Sequence, residues 1–364
     1  MIIPKFLNPT DNFHAELRKR INDYFDKAKI DKTGNFKLYS KAIIISLSFI
    51  AFYVHLVFFA KPMIEDGGFV NISILILECL VLGALTSAIG FNIMHDGAHG
   101  SFSKKKWLND IAGLSLNVLG ANVFMWKTKH NIVHHTFTNI PEVDDDIDAR
   151  PFLRLCESQK KYKIHKYQHI YFLAAYSLLY IYWILFTDYK KYFLGRVGQM
   201  PIKKMKTSEH ISFWGFKLLH IVLFGVLPIY TLGFTNWLIG FLIYGAFAGI
   251  VLSLVFQLAH TVQETHFPVQ NPTTGKIEDE WAVHQLKTTA NFATKSKFWN
   301  WFTGGLNFQV EHHLFPNISH IHYPALSQIV SNLCKEYNIP YLVHEKTRYA
   351  IASHISHLKE MGTK

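Results

Sequence analysis

Long apolar segments constrain this chain more than any other feature of its sequence. Residues 42–60, 72–93, 211–233 and 237–259 are each long enough to cross the hydrocarbon core of a bilayer, which takes roughly 20 helical residues. The short connection 234–236 makes the last two segments an antiparallel hairpin. The sequence therefore predicts four transmembrane helices arranged as two hairpins.

A fifth apolar segment, residues 170–187, is rich in tyrosine and also carries Trp183. Amphipathic aromatic side chains prefer the membrane interface. The histidine clusters described below follow the second and the last spans, and they can share one site only if an even number of crossings separates them. We therefore expect residues 170–187 to be interfacial or re-entrant. Residues 211–233, which contain Lys217 and His220, are the alternative non-spanning segment.

Composition and charge agree with a membrane protein that has a substantial aqueous part. The chain has 364 residues, of which 49% are hydrophobic, and a formal net charge of +11. Lysines and arginines alternate with long apolar segments, which favours attraction to anionic lipids over nucleic-acid binding. Because basic residues flank the spans on the side of the histidine clusters, we expect the clusters and both termini to be cytosolic.

The predicted architecture is an all-α integral membrane protein with interfacial helices and a cytosolic helical cap that holds a metal site. One domain over residues 1–364 is expected, because no repeat or flexible linker divides the sequence. Its segments are a cytosolic N-terminal part (1–41), a first hairpin (42–93), a histidine-rich part (94–169), an interfacial part (170–210), a second hairpin (211–259) and a cytosolic C-terminal part (260–364).

Histidines occur in three clusters, which we call boxes. Box one is His95 and His99, box two is His130, His134 and His135, and box three is Gln309, His312 and His313. Residues at i and i+4 lie on one helix face, so boxes one and two can each present a pair of imidazoles to one side. The adjacent histidines point about 100° further round, and this wider arc suits two metal ions. His260, at the end of the last span, is a further candidate ligand.

The ligand type does not identify the metal, because imidazole binds Zn, Cu, Fe and Ni alike. Zinc hydrolases typically use about three protein ligands, fewer than this set, and the membrane setting favours redox chemistry on a lipid. Asp96, Asn139 and Glu311 are predicted to orient the ligand rings through the free ring nitrogens. Other polar groups are interpreted as ordinary, namely His320 and the remaining histidines, the acidic residues within 144–148, and Lys127 and Lys129.

Two other classes of membrane protein also use histidines. A b-type cytochrome would place paired histidines inside facing spans, and a metal transporter would line the bilayer midplane with polar ligands. The three boxes lie beyond the apolar segments, which disfavours both alternatives.

In this order and around paired spans, the three boxes resemble those of the membrane fatty acid desaturases, over roughly residues 72–325. Residues 279–285, 289–292 and 305–316, with Gln309 opening box three, are similar to the front-end branch, which includes linoleoyl-CoA desaturases of the Δ6 type. The resemblance implies an O₂-dependent di-iron centre that takes two hydrogens from an acyl chain attached to CoA or to a lipid. The new cis double bond would lie between an existing one and the carboxyl end.

The resemblance also sets expectations for the site and its partners. It implies no catalytic acid or nucleophile separate from the metals, and a lipid hydroxylase of the same superfamily is the alternative activity. Gln309 is expected to coordinate, to act through water or to hydrogen-bond, since an amide oxygen is a weaker ligand than imidazole. Many front-end desaturases carry a fused cytochrome b5 domain, whose His-Pro-Gly-Gly motif this sequence lacks. We therefore expect a separate electron donor, a ferredoxin or a cytochrome b5.

Overall fold

The computed structural model describes residues 4–8 and 12–364, and four helices within them are long and apolar enough to cross a membrane. We call these helices spans one to four: Phe36–Asp66, Phe69–His99, Thr207–Leu232 and Phe234–His260. Only 17% of the most apolar part of span one is buried inside the protein, which leaves the rest to face lipid. The predicted all-α membrane architecture with four spans is confirmed.

Glycines allow the chain to reverse between the paired spans. Gly67, between spans one and two, and Gly233, between spans three and four, have φ angles of 63° and 81°. Such left-handed backbone is accessible to glycine without steric cost. The paired spans therefore form the two predicted hairpins.

Spans two and four pack closely against each other because small residues face across their contact. A Cβ atom at Gly83 would lie 2.7 Å from the carbonyl oxygen of Tyr244. Nearby, the Thr86 hydroxyl donates a hydrogen bond to the Tyr244 hydroxyl at 3.1 Å. This packing brings together the two spans that end in candidate ligands.

The fifth apolar segment forms two helices, Lys163–Ser177 and Leu179–Leu194, which are bent by 53° at their junction. The bend packs on span four, where a Cβ atom at Gly249 would lie 2.6 Å from the carbonyl oxygen of Tyr176. A bent pair agrees with the expected interfacial or re-entrant course of residues 170–187, which stays a prediction.

The spans are not regular α-helices throughout. Spans one, two and three each contain a π-helical turn, and such turns occur frequently at functional sites. The helical segments of the spans and of the bent pair are Phe36–Val54, His55–Phe59 (π), Ala60–Asp66, Phe69–Ile89, Gly90–Met94 (π), His95–His99, Lys163–Tyr167 (3₁₀), Gln168–Ser177, Leu179–Tyr182, Trp183–Thr187 (π), Asp188–Leu194, Thr207–Ile221, Val222–Val226 (π), Leu227–Leu232 and Phe234–His260.

The cap is built from shorter helices and three pairs of two-residue strands. Its helices are Phe13–Ala28, Lys106–Val118, Val123–Lys127, Thr128–His134 (π), His135–Phe137, Asp145–Ile147 (3₁₀), Trp281–Thr288, Lys297–Phe302, Gln309–Leu314, His320–His322 (3₁₀), Tyr323–Glu336 and Thr347–Thr363. Lys5–Phe6 pairs in parallel with Lys276–Ile277, Arg196–Val197 pairs antiparallel with Met200–Pro201, and Asn291–Phe292 pairs in parallel with Val343–His344.

The helix Phe13–Ala28 joins the N-terminal segment to the C-terminal part of the cap. Its buried residues recur every fourth position, so they form one apolar face. That face shares a core with the helix Tyr323–Glu336. At the edge of this core, Arg20 pairs with Glu336 through nitrogen–oxygen distances of 2.7 Å. These contacts are consistent with the single domain over residues 1–364, which remains a prediction.

Candidate metal centre

Box one lies at the end of span two, which continues unbroken from the apolar region into the one-turn helix His95–His99. Gly100 ends this helix with a φ of 76°, as is common at helix C-termini. The rings of His95 and His99 lie on one face, with centroids 4.7 Å apart. Box one therefore presents two imidazoles to one side, as its spacing predicts.

Box two lies on the π-helical turn Thr128–His134 and the short helix His135–Phe137. The sequence predicts regular helical spacing with His130 and His134 serving one side together. The rings of these two residues do stack with centroids 5.0 Å apart, but they reach different groups of histidines. The π turn explains the difference, because it changes the direction of successive side chains from that of an α-helix.

The eight predicted histidines converge from boxes one to three and from the end of span four. Within the described residues, ligand atoms less than 4.8 Å apart define a first group, His95, His99, His130 and His312, and a second group, His134, His260 and His313. His135 lies against His312 and His313, and its ring centroid is 4.4 Å from that of His313. All eight side chains are buried. Two adjacent groups are what a pair of metal ions requires.

Buried ring nitrogens without hydrogen-bond partners show that these groups fit metal ions. The Nε2 atoms of seven of these eight histidines are buried and unpaired, and they belong to His95, His99, His130, His134, His135, His312 and His313. A buried polar atom left unpaired is costly, so such atoms call for an explanation. Ligated metal ions would satisfy all seven nitrogens.

The opposite nitrogens of box two are held by carboxylates. His134 donates from Nδ1 to Asp144 at 2.8 Å, and His130 donates from Nδ1 to Asp146 at 3.2 Å. These hydrogen bonds fix the tautomer that leaves Nε2 free for a metal. The interpretation of the acidic residues as a solvated loop is therefore wrong for Asp144 and Asp146. Asp144 is 3% exposed and caps the turn Asp145–Ile147.

Lys129 also differs from its expected solvated role. Its Nζ lies 2.7 Å from Asp146 Oδ1 and 3.8 Å from Asp145 Oδ2. Asp146 thus has a cation on one side and the imidazole of His130 on the other. This ion pair helps to keep the carboxylate charged, and these neighbours hold the pKa of Asp146 well below its ordinary value, although burial alone would raise it.

Neutral side chains hold the rings of box three. The Nδ1 atom of His313 donates to Gln285 Oε1 at 2.8 Å, and the Nδ1 atom of His312 lies 3.2 Å from the Tyr323 hydroxyl. Burial, together with neighbouring imidazoles, keeps the pKa of both histidines well below 6.5, so the rings are neutral, as metal ligands must be. Sequence reasoning missed Gln285 and Tyr323, because they lie 28 and 11 residues in the chain from the ligands that they contact, His313 and His312.

The three side chains predicted to orient the ligand rings contact other partners. Asp96 lies against Ser319 and His320, and Glu311 accepts hydrogen bonds from Asn291 and Tyr341. Asn139 donates to the backbone carbonyl of His260 at 2.7 Å, so it holds the backbone of a candidate ligand. Proximity in sequence predicted contact with the rings, but these three side chains hydrogen-bond to other groups.

Gln309 lies within the second group. Its amide nitrogen is placed 2.9 Å from Nε2 of His260, and its side chain is buried. Whether the amide coordinates a metal, as the resemblance allows, stays a prediction.

A cleft of about 400 Å³ leads from the outer surface to His135 and His313. The helix Phe13–Ala28 lines one side with His14 and Arg18, and Trp281 lies on its wall. The cleft therefore connects the surface of the cap with two of the candidate ligands.

Comparison with known proteins supports a specific family. A family profile described as fatty acid desaturase matches residues 71–344. The chain is 36% identical to an sn-1 linoleoyl-lipid 6-desaturase of Synechocystis sp., covering 96% of this chain and 95% of that protein. It is 34% identical to an enzyme of the same description from Arthrospira platensis, covering 96% and 92% of the two chains. An acyl-lipid (8-3)-desaturase of Physcomitrium patens is 34% identical, covering 97% and 72%.

Proposed function

We propose, from the premise that this chain belongs to the fatty acid desaturase family, that it inserts a cis double bond on the carboxyl side of an existing one. The chain is an oxidoreductase that acts on fatty acyl chains in a membrane. The relatives named above act on acyl lipids, so we infer that its substrate is esterified to a lipid rather than to CoA.

The observation that carries the proposal is the pair of histidine groups with unpaired Nε2 atoms. We infer that the first group (His95, His99, His130 and His312) holds one iron ion and that the second group (His134, His260 and His313) holds the other. His135 would supply a further ligand between them, and Gln309 would contribute to the second group. Bound iron would supply the activation of dioxygen and the removal of hydrogen from an unactivated C–H bond.

The protein's own residues position and protect this chemistry. Asp144 and Asp146 hold protons on Nδ1 of His134 and His130, which keeps Nε2 of each ring available to a metal. Trp126 stacks on His130 at a centroid distance of 4.4 Å, and Phe256 lies 4.6 Å from His260. We infer that these aromatic rings exclude water from the two histidines that they cover.

Desaturation also requires electrons from outside the chain. Reducing dioxygen to two waters takes four electrons, of which the substrate supplies two as it loses two hydrogens. A separate protein of the ferredoxin or cytochrome b5 type would supply the other two. The cleft that opens on His135 and His313 supports this inference, because it brings an aqueous surface next to the histidines.

The protein is a membrane protein, and we further propose that its termini and all three boxes face the cytosol. The convergence of boxes one, two and three with His260 supports one shared side, because two crossings, spans three and four, then lie between box one and His260. The bent pair Lys163–Ser177 and Leu179–Leu194 would remain on one side.

Product analysis tests the proposal. The full chain is expressed in a host that lacks polyunsaturated lipids, defined fatty acids are fed, and each lipid class is analysed by gas chromatography. We expect a new double bond on the carboxyl side of the existing one, first in intact lipids. First appearance in acyl-CoA would contradict the lipid substrate, and a hydroxylated product would favour the hydroxylase.

A matched variant shows whether the histidines carry the activity. His312→Gln removes an imidazole from the first group, and we expect it to abolish the product. Lys37→Met, an exposed substitution on span one, should leave the product unchanged. Full activity of His312→Gln would contradict the proposed site.

A further inference from the structure

A buried chain of three side chains lies beside the first group of histidines. Asp96 accepts from Ser319 Oγ at 2.7 Å through Oδ2, and its Oδ1 lies 3.0 Å from Nδ1 of His320. On the far side of the same ring, Nε2 of His320 lies 2.7 Å from Nζ of Lys41. Lys41 is 7% exposed, Asp96 is 2% exposed and His320 is 4% exposed.

The chemistry of these groups fixes where the protons lie. A lysine ammonium offers three donors and no acceptor, so Nε2 of His320 must accept the hydrogen bond from Lys41. The ring proton is then on Nδ1, which lies 3.0 Å from Asp96 Oδ1, within ion-pair distance but outside the angle of a regular hydrogen bond. Neutral His320 thus lies between a buried cation and a buried anion, whose charges balance.

The three residues come from separate parts of the chain, and the first group forms only if these parts keep fixed positions relative to one another. Asp96 lies in the one-turn helix between His95 and His99, and His320 follows box three by a few residues. His95 and His312, from boxes one and three, have ring centroids 4.4 Å apart and both belong to the first group. Lys41 lies on span one, which carries none of the candidate ligands.

A buried ion pair is weak evidence for stability, because desolvation offsets much of its attraction. Such groups are better explained by the arrangement that they fix. The rings of box two are already held by Asp144 and Asp146, and His313 is held by Gln285. Among the residues that the structure describes, Asp96 is the carboxylate that joins the helix of box one to the segment after box three.

We propose that Lys41, His320 and Asp96 form a buried relay that fixes box one against the segment after box three and thereby completes the first group of histidines. The three are positioning residues and do not coordinate metal. The second group (His134, His260 and His313) does not depend on the relay. This inference rests on the proposed metal centre, since the metal reports the geometry.

The test measures metal content of the full-length protein in nanodiscs. The variants are Asp96→Asn, Lys41→Met and His320→Asn; the last keeps a donor near the position of Nδ1 but removes the acceptor for Lys41. We expect Asp96→Asn to retain roughly half of the wild-type iron, because metal affinity falls roughly 10–100-fold when a supporting contact is lost. Its Mössbauer spectrum should lose one iron component and keep the other.

Controls separate positioning from general damage. Lys37→Met makes the same substitution at an exposed site on span one and should retain full iron. Lys217→Met removes a second buried lysine, whose Nζ lies 3.1 Å from Asp188, and it should also retain both iron components. Lys41→Arg keeps the cation and should restore most of the iron lost in Lys41→Met.

A double-variant cycle tests whether the residues act as one unit. If they do, Lys41→Met should lower iron content in the wild type but cause no further loss in Asp96→Asn. Full iron in Asp96→Asn and His320→Asn, or loss of both iron components together, would overturn the relay. Additive losses in the double variant would overturn it as well.

Separate measurements test the relay and the proposed function. Iron content and product formation of the wild type test the function. Titration with cobalt(II), whose absorption reports imidazole ligation, tests the relay in a protein that takes no iron. We expect Asp96→Asn to bind roughly half as much cobalt as the wild type.

Discussion

Replacing Asp144 by asparagine preserves the shape of the side chain and removes its charge. Asp144 accepts three hydrogen bonds: Oδ2 from Nδ1 of His134 at 2.8 Å and from the backbone nitrogen of Asn139 at 2.9 Å, and Oδ1 from the backbone nitrogen of Asp146 at 3.0 Å. An asparagine amide offers one oxygen and one NH₂ group, so at least one of the three donors must face another donor.

The magnitude follows from these contacts. Leaving one buried donor unpaired costs about 1–3 kcal/mol, and the remaining hydrogen bonds weaken because they lose their charged acceptor. For the metal, loss of the partner that orients a ligand imidazole typically lowers affinity about 10–100-fold, or roughly 1.4–2.8 kcal/mol. We therefore expect Asp144→Asn to bind iron about 10–100-fold more weakly than the wild type.

The assay is competition with a chelator of known affinity, followed by metal analysis. Asp148→Asn is the matched control, because Asp148 lies in the same segment but pairs with Arg150 on the surface. The control should bind iron as the wild type does. Equal affinities of Asp144→Asn and Asp148→Asn would refute the assignment of Asp144 as the partner that orients His134.

Three further predictions concern packing, the support of box three and orientation. Gly304→Ala places a Cβ atom 2.4 Å from the Phe91 carbonyl oxygen at a φ of 58°, so the midpoint of thermal unfolding should fall. In the control Gly215→Ala, the new Cβ atom has no neighbour within 4 Å, so the midpoint should not change. Gln285→Leu removes the acceptor of His313, and chelator competition should show roughly 10–100-fold weaker iron binding. Tags at both termini should be digested by protease added to sealed vesicles whose cytosolic face points outward, and protection of either tag until detergent opens the vesicles would contradict the proposed orientation.

The sequence allowed the spans and the candidate ligands to be predicted, for a simple physical reason. Long apolar segments and i, i+4 histidine pairs are local patterns, and both lie within single helices. The ends of the spans were harder to predict from the sequence. Span two was expected to end near residue 93, but it continues to His99. Hydropathy falls at Asn92 and at the histidines, yet the helix persists because these polar side chains are buried in the protein.

Contacts between distant segments could not be read from local patterns. Asp144 lies 10 residues from His134, and Asp96 lies 223 residues from Ser319. An acidic segment is most often solvated, and only the fold turns it towards the rings of box two. The π turn Thr128–His134 has no simple sequence pattern either, and it changes which histidines meet.

Spans two and four run without interruption from lipid-facing residues to His99 and His260. The length of each helix therefore fixes the distance between the membrane and the candidate ligand at the helix end. Inserting or deleting one residue along it would move the tip by about 1.5 Å and rotate it by about 100°. The protein must then adapt to a thicker or thinner bilayer by tilting these helices or by a change in the length of span one. Span one carries no candidate ligand, so its length does not directly set the position of one.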